Sequence, residues 1–175
     1  ETMRGKGIFC AVFLAGMAAL TALDQWTKAL AVRYLMNQTP VVLMEGVFQL
    51  HYSENRGAAF GLLQGKQFFF FLITLLVLGA AAYMVWHMPP VKRFFPMWFA
   101  LLLVASGAVG NMIDRVSQGY VVDFLYFNLI NFPIFNVADC YVTVGAFLLV
   151  VLIFFYYREE EMACFSLKNK KEDLE

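Results

Sequence analysis

Four long apolar stretches divide the chain. They run from about Ile8 to Leu30, from Phe68 to Trp86, from near Pro96 to near Asp114, and from near Asn136 to near Tyr157. Each is close to the ~20 mostly apolar residues that a helix needs to cross a bilayer core. Their ends carry signals of their own. Met88-Pro89-Pro90 stops the second stretch, and Pro96 suits the first turn of the third. Asn136 is placed to cap the fourth, with Asp139 in its first turn, where the helix dipole favours an acid. The first run is too long for the apolar region of a cleaved signal peptide, and Asp24 and Lys28 near its end are unlike a small-residue cleavage site.

Between the first two stretches, in residues 31–67, the period changes. Phe48, Leu50 and Tyr52 alternate with Gln49, His51 and Ser53, which predicts a half-buried strand. The run Pro40–Met44 before it is a second strand candidate, and Glu45-Gly46 supplies the turn. A small sheet lying at the membrane surface is expected. Residues 115–135 are predicted to be a loop, and the mixed-charge tail 158–175 a solvated extension of the last helix.

Composition supports this division. Hydrophobic residues make up 61% of the 175 and charged residues 15%, against about 45–50% and about 25% in soluble domains. The chain therefore reads as a single polytopic membrane domain, 1–175: mainly α, four transmembrane helices and a small extracytoplasmic β-sheet cradle. Arg4, Lys6, Lys92, Arg93, Arg158, Lys168, Lys170 and Lys171 fall on one side of the membrane, and Lys28, Arg33, Arg56, Lys66 and Arg115 on the other. The richer side is the cytoplasmic one. Both termini are thus expected in the cytoplasm, with loops 31–67 and 115–135 outside. A net charge of zero leaves no basic footprint for nucleic acid. Three scattered cysteines, two histidines and the lack of HExxH or GxSxG predict neither a metal, nor another cofactor, nor a serine-hydrolase elbow.

Ionisable groups at membrane depth cost about 2.5–3.5 kcal/mol each at a helix centre, yet several gather at one level here. Asp24 and Lys28 close the first helix, Asn111, Asp114 and Arg115 the third, and Asn136 and Asp139 open the fourth. Each has a structural reading on local grounds: an i,i+4 ion pair, a helix-end anchor, a cap. Gly107 and Gly110, with Ser106, would let helices approach closely. Asp123 fits such readings least. Lying between Val122 and Phe124, it has no basic neighbour and no cap to fill, so it must be solvated, paired or protonated. If it meets Asp139, two carboxyls share a site, one of them keeps a proton, and the pair can run acid–base hydrolysis. A proton-coupled transporter would instead put its acids near the midplane and show an inverted repeat, neither of which is evident. A scaffold role, and a Ser–Lys or Thr–Lys protease using Ser106 or Thr27, are further readings.

Five stretches, DQWTK (24–28), NRGAAFG (55–61), GAVGNMIDR (107–115), VVDF (121–124) and FNVAD (135–139), stand between and within the four spans. With them the chain resembles the bacterial lipoprotein signal peptidases, signal peptidase II. That resemblance implies a membrane aspartyl endopeptidase cutting prolipoproteins on the amino side of a diacylglyceryl-modified cysteine. It implies Asp123 and Asp139 as the catalytic pair and Asn55, Arg56, Asn111, Asp114, Arg115 and Asn136 as substrate-binding or supporting groups. Asp24 and Lys28 are implied as structural polar residues. It further implies membrane lipids and globomycin-type inhibitors as partners, and a place in the bacterial cytoplasmic (inner) membrane with the active site near its outer face.

Overall fold

The structure, a computed structural model, describes residues 2–57 and 66–166. Helix α1 (Thr2–Leu35) leads into an antiparallel hairpin, β1 (Val41–Met44) and β2 (Phe48–Asn55). Gly46, at φ 70°, takes the left-handed turn position between the two strands. Next come α2 (Gln67–His87), α3 (Phe95–Gln118), β3 (Val121–Phe127) and α4 (Val137–Val151), then a short α5 (Glu159–Met162). Four segments, Gly5–Leu35, Gln67–His87, Lys92–Gln118 and Val137–Tyr156, are long and apolar enough to cross a membrane. The protein is a multi-pass membrane protein.

Helix α3 is the hub. Within its most apolar stretch 56% of residues are buried, against 17%, 11% and 17% for the others, so α1, α2 and α4 turn most of their apolar surface outward. The large side chains on that outer surface, among them Leu76, Phe147 and Phe154, have bilayer as their solvent. Small residues let the helices come close. A Cβ on Gly107 would run into the carbonyl oxygen of Ala138 in α4. One on Gly110 would lie 2.5 Å from Asp24 Oδ2 of α1. Away from this contact, Phe13, Met97, Trp98, Leu101 and Leu102 form a core with Ala81 and Val85 of α2.

The segment expected as a loop, 115–135, is largely ordered. Helix α3 continues to Gln118 and stops at Gly119, whose φ of 79° is a left-handed cap. The chain then enters β3, the third strand of a sheet in the order β1-β2-β3. Ser53 pairs with Asp123 and Asn55 with Val121, beyond an irregularity in β2 between Leu50 and Ser53. Val122 and Phe124 pack with Ala31 and Leu35, so the sheet is seated on the end of α1.

Up to Ser166 the tail departs from the helical extension expected of it, and the rest of the tail, 167–175, is outside the described residues. Helix α4 widens into a π turn, Leu152–Tyr156, and ends at Tyr157, whose backbone is extended. Tyr157 is buried, stacks on Phe94 at 5.2 Å and donates to the Arg93 carbonyl at 3.0 Å. Arg93 in turn binds both carboxylate oxygens of Glu161, at 2.8 and 3.1 Å. A straight helix would put these groups in solvent and leave the ring of Phe94 uncovered.

Gly107→Ala is expected to destabilise the protein by about 1–3 kcal/mol, because backbone on α4 must move to admit the methyl group. Gly79→Ala, where a Cβ meets nothing within 4 Å, is expected to leave stability equal or higher. Thermal unfolding of the two purified variants in one detergent checks the pair.

Candidate active site

The start of α4 is fixed before any chemistry is considered. Asn136 is its N-cap: its Oδ1 accepts from the Asp139 N–H at 2.9 Å, and Asp139 Oδ2 accepts from the Asn136 N–H at 3.2 Å. This reciprocal box satisfies two orphan donors of the helix end. A third, the Ala138 N–H, goes to Asp24 Oδ1 on α1 at 2.9 Å. Asp139 is thus held by its own helix start, and that start is held by α1.

Strand β3 is fixed in the same manner. Asp114, near the end of α3, accepts the Val122 N–H at 3.0 Å. This bond sets the position of Asp123, one residue along and 2% exposed. Behind both acids lies a buried charge cluster. Lys28 Nζ contacts Asp24 Oδ2 at 2.9 Å, Asp114 Oδ2 at 3.1 Å and Asn111 Oδ1 at 2.9 Å. Lys28 is 3% exposed, Asp24 0% and Asp114 4%.

Two asparagine side chains connect the acids. Asn111 Nδ2 donates to Asp139 Oδ1 at 2.8 Å, and Asn136 Nδ2 donates to Asp123 Oδ1 at 2.7 Å. The two amides touch each other, Asn136 Nδ2 to Asn111 Oδ1, at 3.0 Å. Asn55, at the end of β2, donates to the other oxygen of Asp123 at 3.0 Å. Asp123 is pushed up to about 7, first by burial and then by the negative charge of Asp139. The hydrogen bonds from Asn55 and Asn136 pull the other way and do not cancel the rise.

A cavity of about 530 Å³ opens beside the pair. Asp139, Asn55 and Arg115 form its polar part, and Phe70, Phe132 and Val144 are among its apolar walls. Arg115 lies over the Phe70 ring at 4.4 Å and reaches the Gly57 carbonyl at 3.3 Å. Arg56 is turned elsewhere: it pairs with Glu54 at 3.2 Å and lies 5.3 Å from the Tyr120 ring centre. Residues 58–61 of the NRGAAFG stretch are outside the described residues.

Sequence reasoning brought most of these groups forward but missed Gln25. Its Nε2 donates to Asp114 Oδ1 at 2.9 Å and to the Gly110 carbonyl at 3.1 Å, bracing α1 against α3. Its position beside Asp24 in the quoted DQWTK stretch was the available signal. The hydroxyls offered as alternative nucleophiles are occupied locally. Thr27 donates to the Asp24 carbonyl at 2.7 Å and Ser106 to the Leu102 carbonyl at 2.6 Å. Among the described residues there is no group of three or more His, Cys, Asp or Glu able to hold a metal ion.

With this geometry in place, the similarities of the chain become informative. The sequence model of Signal peptidase (SPase) II matches residues 16–155. The chain belongs to the signal peptidase II family. A lipoprotein signal peptidase of Streptococcus thermophilus (strain CNRZ 1066) is 45% identical over 135 residues, covering 75% of this chain and 85% of that one. A lipoprotein signal peptidase of Streptococcus pyogenes serotype M5 (strain Manfredo) is 41% identical over 139 residues, 79% and 90% of the two chains. A bacterial membrane enzyme structure solved in meso at 2.3 Å superposes with a TM-score of 0.70 at 30% identity, over 92% of this chain and 95% of that one. Another, at 1.9 Å, gives 0.71 at 32% identity over 84% and 95%. The family match begins at residue 16 and closes at 155, so it spans all five quoted stretches and stops before the turned-back segment at Tyr157.

The raised Asp123 predicts how this peptidase responds to pH. A carboxyl that keeps its proton up to about pH 7 when folded, but only to about 3.9 when unfolded, makes the folded state bind more protons in between. Its contribution to stability therefore falls as pH rises from about 4 to about 7. Asp123→Asn is expected to flatten that dependence and to be at least as stable as wild type at pH 8. Unfolding midpoints of both proteins between pH 5 and 8 check this.

Proposed function

We propose that this chain is an aspartyl endopeptidase of prolipoproteins, with Asp123 and Asp139 as its catalytic pair. The observation that carries the reading is the pairing itself: two carboxyls joined through the Asn111–Asn136 amides beside a cavity that Asp139 lines. The pair holds one proton, retained mostly on the more buried Asp123, while ionised Asp139 faces the cavity.

Hydrolysis then follows from the two environments. Asp139 takes a proton from water as its oxygen attacks the scissile carbonyl. Asp123 donates its proton to the carbonyl oxygen, which reaches it by displacing the Asn55 amide. On collapse of the tetrahedral intermediate, Asp139 returns its proton to the leaving amine and Asp123 recovers one from the diol hydroxyl. Each turnover breaks one C–N bond, consumes one water and restores the pair. Asn111 and Asn136 hold the acids, Arg115 and Asn55 meet the substrate backbone, and Asp114, Asp24 and Lys28 support the frame. Arg56 acts at the rim of the sheet.

The substrate is a precursor whose cysteine carries a diacylglyceryl group, and the cut falls on the amino side of that cysteine. Acyl chains bring about 0.8 kcal/mol per buried CH₂ to membrane residence. They hold the scissile bond near the interface, the depth at which the polar ends of α1, α3 and α4 meet. Phe132, Ile134 and Val144 offer the apolar wall such chains need. The setting is the bacterial cytoplasmic (inner) membrane, with both termini cytoplasmic and the catalytic pair near the outer face. A peptide antibiotic of the globomycin type would block the cavity by filling the same apolar and polar parts.

Asp123→Asn and Asp139→Asn are each expected to abolish cleavage of a diacylglyceryl-modified precursor, while the unlipidated twin is left uncut by wild type. Purified protein and mass spectrometry of the products check both; near-normal turnover by either variant contradicts the assigned pair.

A further inference from the structure

The side-chain amide of Asn111 has two faces with opposite requirements. Toward Asp139 it must present N–H, since both oxygens of that carboxylate accept: Oδ1 from Asn111 at 2.8 Å and Oδ2 from the Asn136 backbone at 3.2 Å. Toward α1 and α4 it must present oxygen, because two donors converge there, Lys28 Nζ at 2.9 Å and Asn136 Nδ2 at 3.0 Å. A flipped amide would set N–H against N–H on one side and carbonyl against carboxylate on the other.

The two donors are not equal in holding that orientation. Asn136 Nδ2 has other acceptors, Asp123 Oδ1 at 2.7 Å and the Val122 carbonyl at 3.3 Å. Lys28 has three N–H groups and three acceptors, Asp24, Asp114 and Asn111, and a buried ammonium has no acceptor capacity and no water to turn to. Asp24 and Asp114 are themselves held, by the Ala138 and Val122 N–H groups and by Gln25, so the position of the ammonium is rigid.

We propose that Lys28 is a positioning residue for hydrolysis: its ammonium locks the Asn111 amide so that the N–H groups, and not the carbonyl, face Asp139. This gives Lys28 a part in the reaction beyond its ion pair, and it rests on the reading of Asp139 as one of the catalytic pair. With the lock removed, the amide and the carboxylate it holds lose their fixed positions, and Asp139 meets a carbonyl oxygen where it needs a donor. Misplacement of a reacting group on this scale costs about 100-fold in rate.

The test uses the purified full chain and a diacylglyceryl-modified precursor peptide as probe. Lys28→Met is expected to lower kcat by about 100-fold, with KM unchanged. In an Asn111→Ala background the same change is expected to cost no further kcat, because the group it acts through is gone. Losses that multiply in the double variant overturn the proposal. Asn111→Asp keeps an acceptor for Lys28 while removing the N–H groups. It is expected to fold and to lose about 100-fold or more in kcat. A folded Asn111→Asp with wild-type turnover overturns the proposal even if Lys28→Met does not accumulate. Asp139→Asn, run in parallel, separates the two readings: turnover there removes the pair itself, whereas an inactive Asp139→Asn beside an additive Lys28→Met removes only the lock.

Discussion

The arrangement depends on one buried ammonium shared by two carboxylates. Lys28 joins α1 to α3 through Asp24 and Asp114, at 2.9 and 3.1 Å. Charges so far from water are stabilising only when every partner is in place, and removing one partner of a buried pair typically costs about 3–5 kcal/mol. Here the remaining oxygens are satisfied by backbone N–H groups of Ala138 and Val122 and by the Gln25 amide. Those two backbone groups belong to the segments that carry Asp139 and Asp123. The cluster that holds the helices together is also what sets the two acids opposite the same pair of asparagines. Gly110 makes the arrangement possible, since any side chain there would occupy the place of Asp24.

A division of labour follows from burial. Asp123, on a strand with Val121, Val122 and Phe124 buried around it, is in a place that favours the neutral acid. Asp139 stands at the start of α4, receives two hydrogen bonds and faces the cavity, where a substrate can reach it. Two chemically identical side chains are thereby suited to opposite roles, and in the proposed reaction neither needs a metal or a third titrating group. The sheet has a part in this as well, because Asn55 at the end of β2 reaches Asp123 only through the β2–β3 register.

Much of the frame was legible in the sequence because its signals are local. Span length, the proline breaks, the Phe48–Leu50–Tyr52 alternation and the Asn136–Asp139 spacing each report on the residues that carry them. The third strand was not legible: apart from Asp123, Val121–Phe127 is apolar and aromatic on both faces, which a membrane-interface loop shows equally well. Its strand character comes from pairing with β2, a contact set by tertiary structure. Gln25 was missed for a similar reason, since its partners lie more than eighty residues away. The return of the chain at Tyr157 depends on Phe94 and Arg93, which no periodicity in residues 152–166 announces. Lys28 was read as half of an i,i+4 pair. Its contacts with Asp114 and Asn111 needed the third helix to be in place.

The central claim is that Asp123 and Asp139 act as a pair holding one proton, kept mainly on Asp123. Infrared difference spectroscopy of the carboxylic C=O stretch in the purified protein tests it most directly. The account predicts one protonated-carboxyl band at neutral pH that titrates near pH 7, disappears in Asp123→Asn and shifts to lower pH in Asp139→Asn, where the neighbouring charge is gone. A band that survives Asp123→Asn unchanged, or one indifferent to the loss of the Asp139 charge, contradicts it.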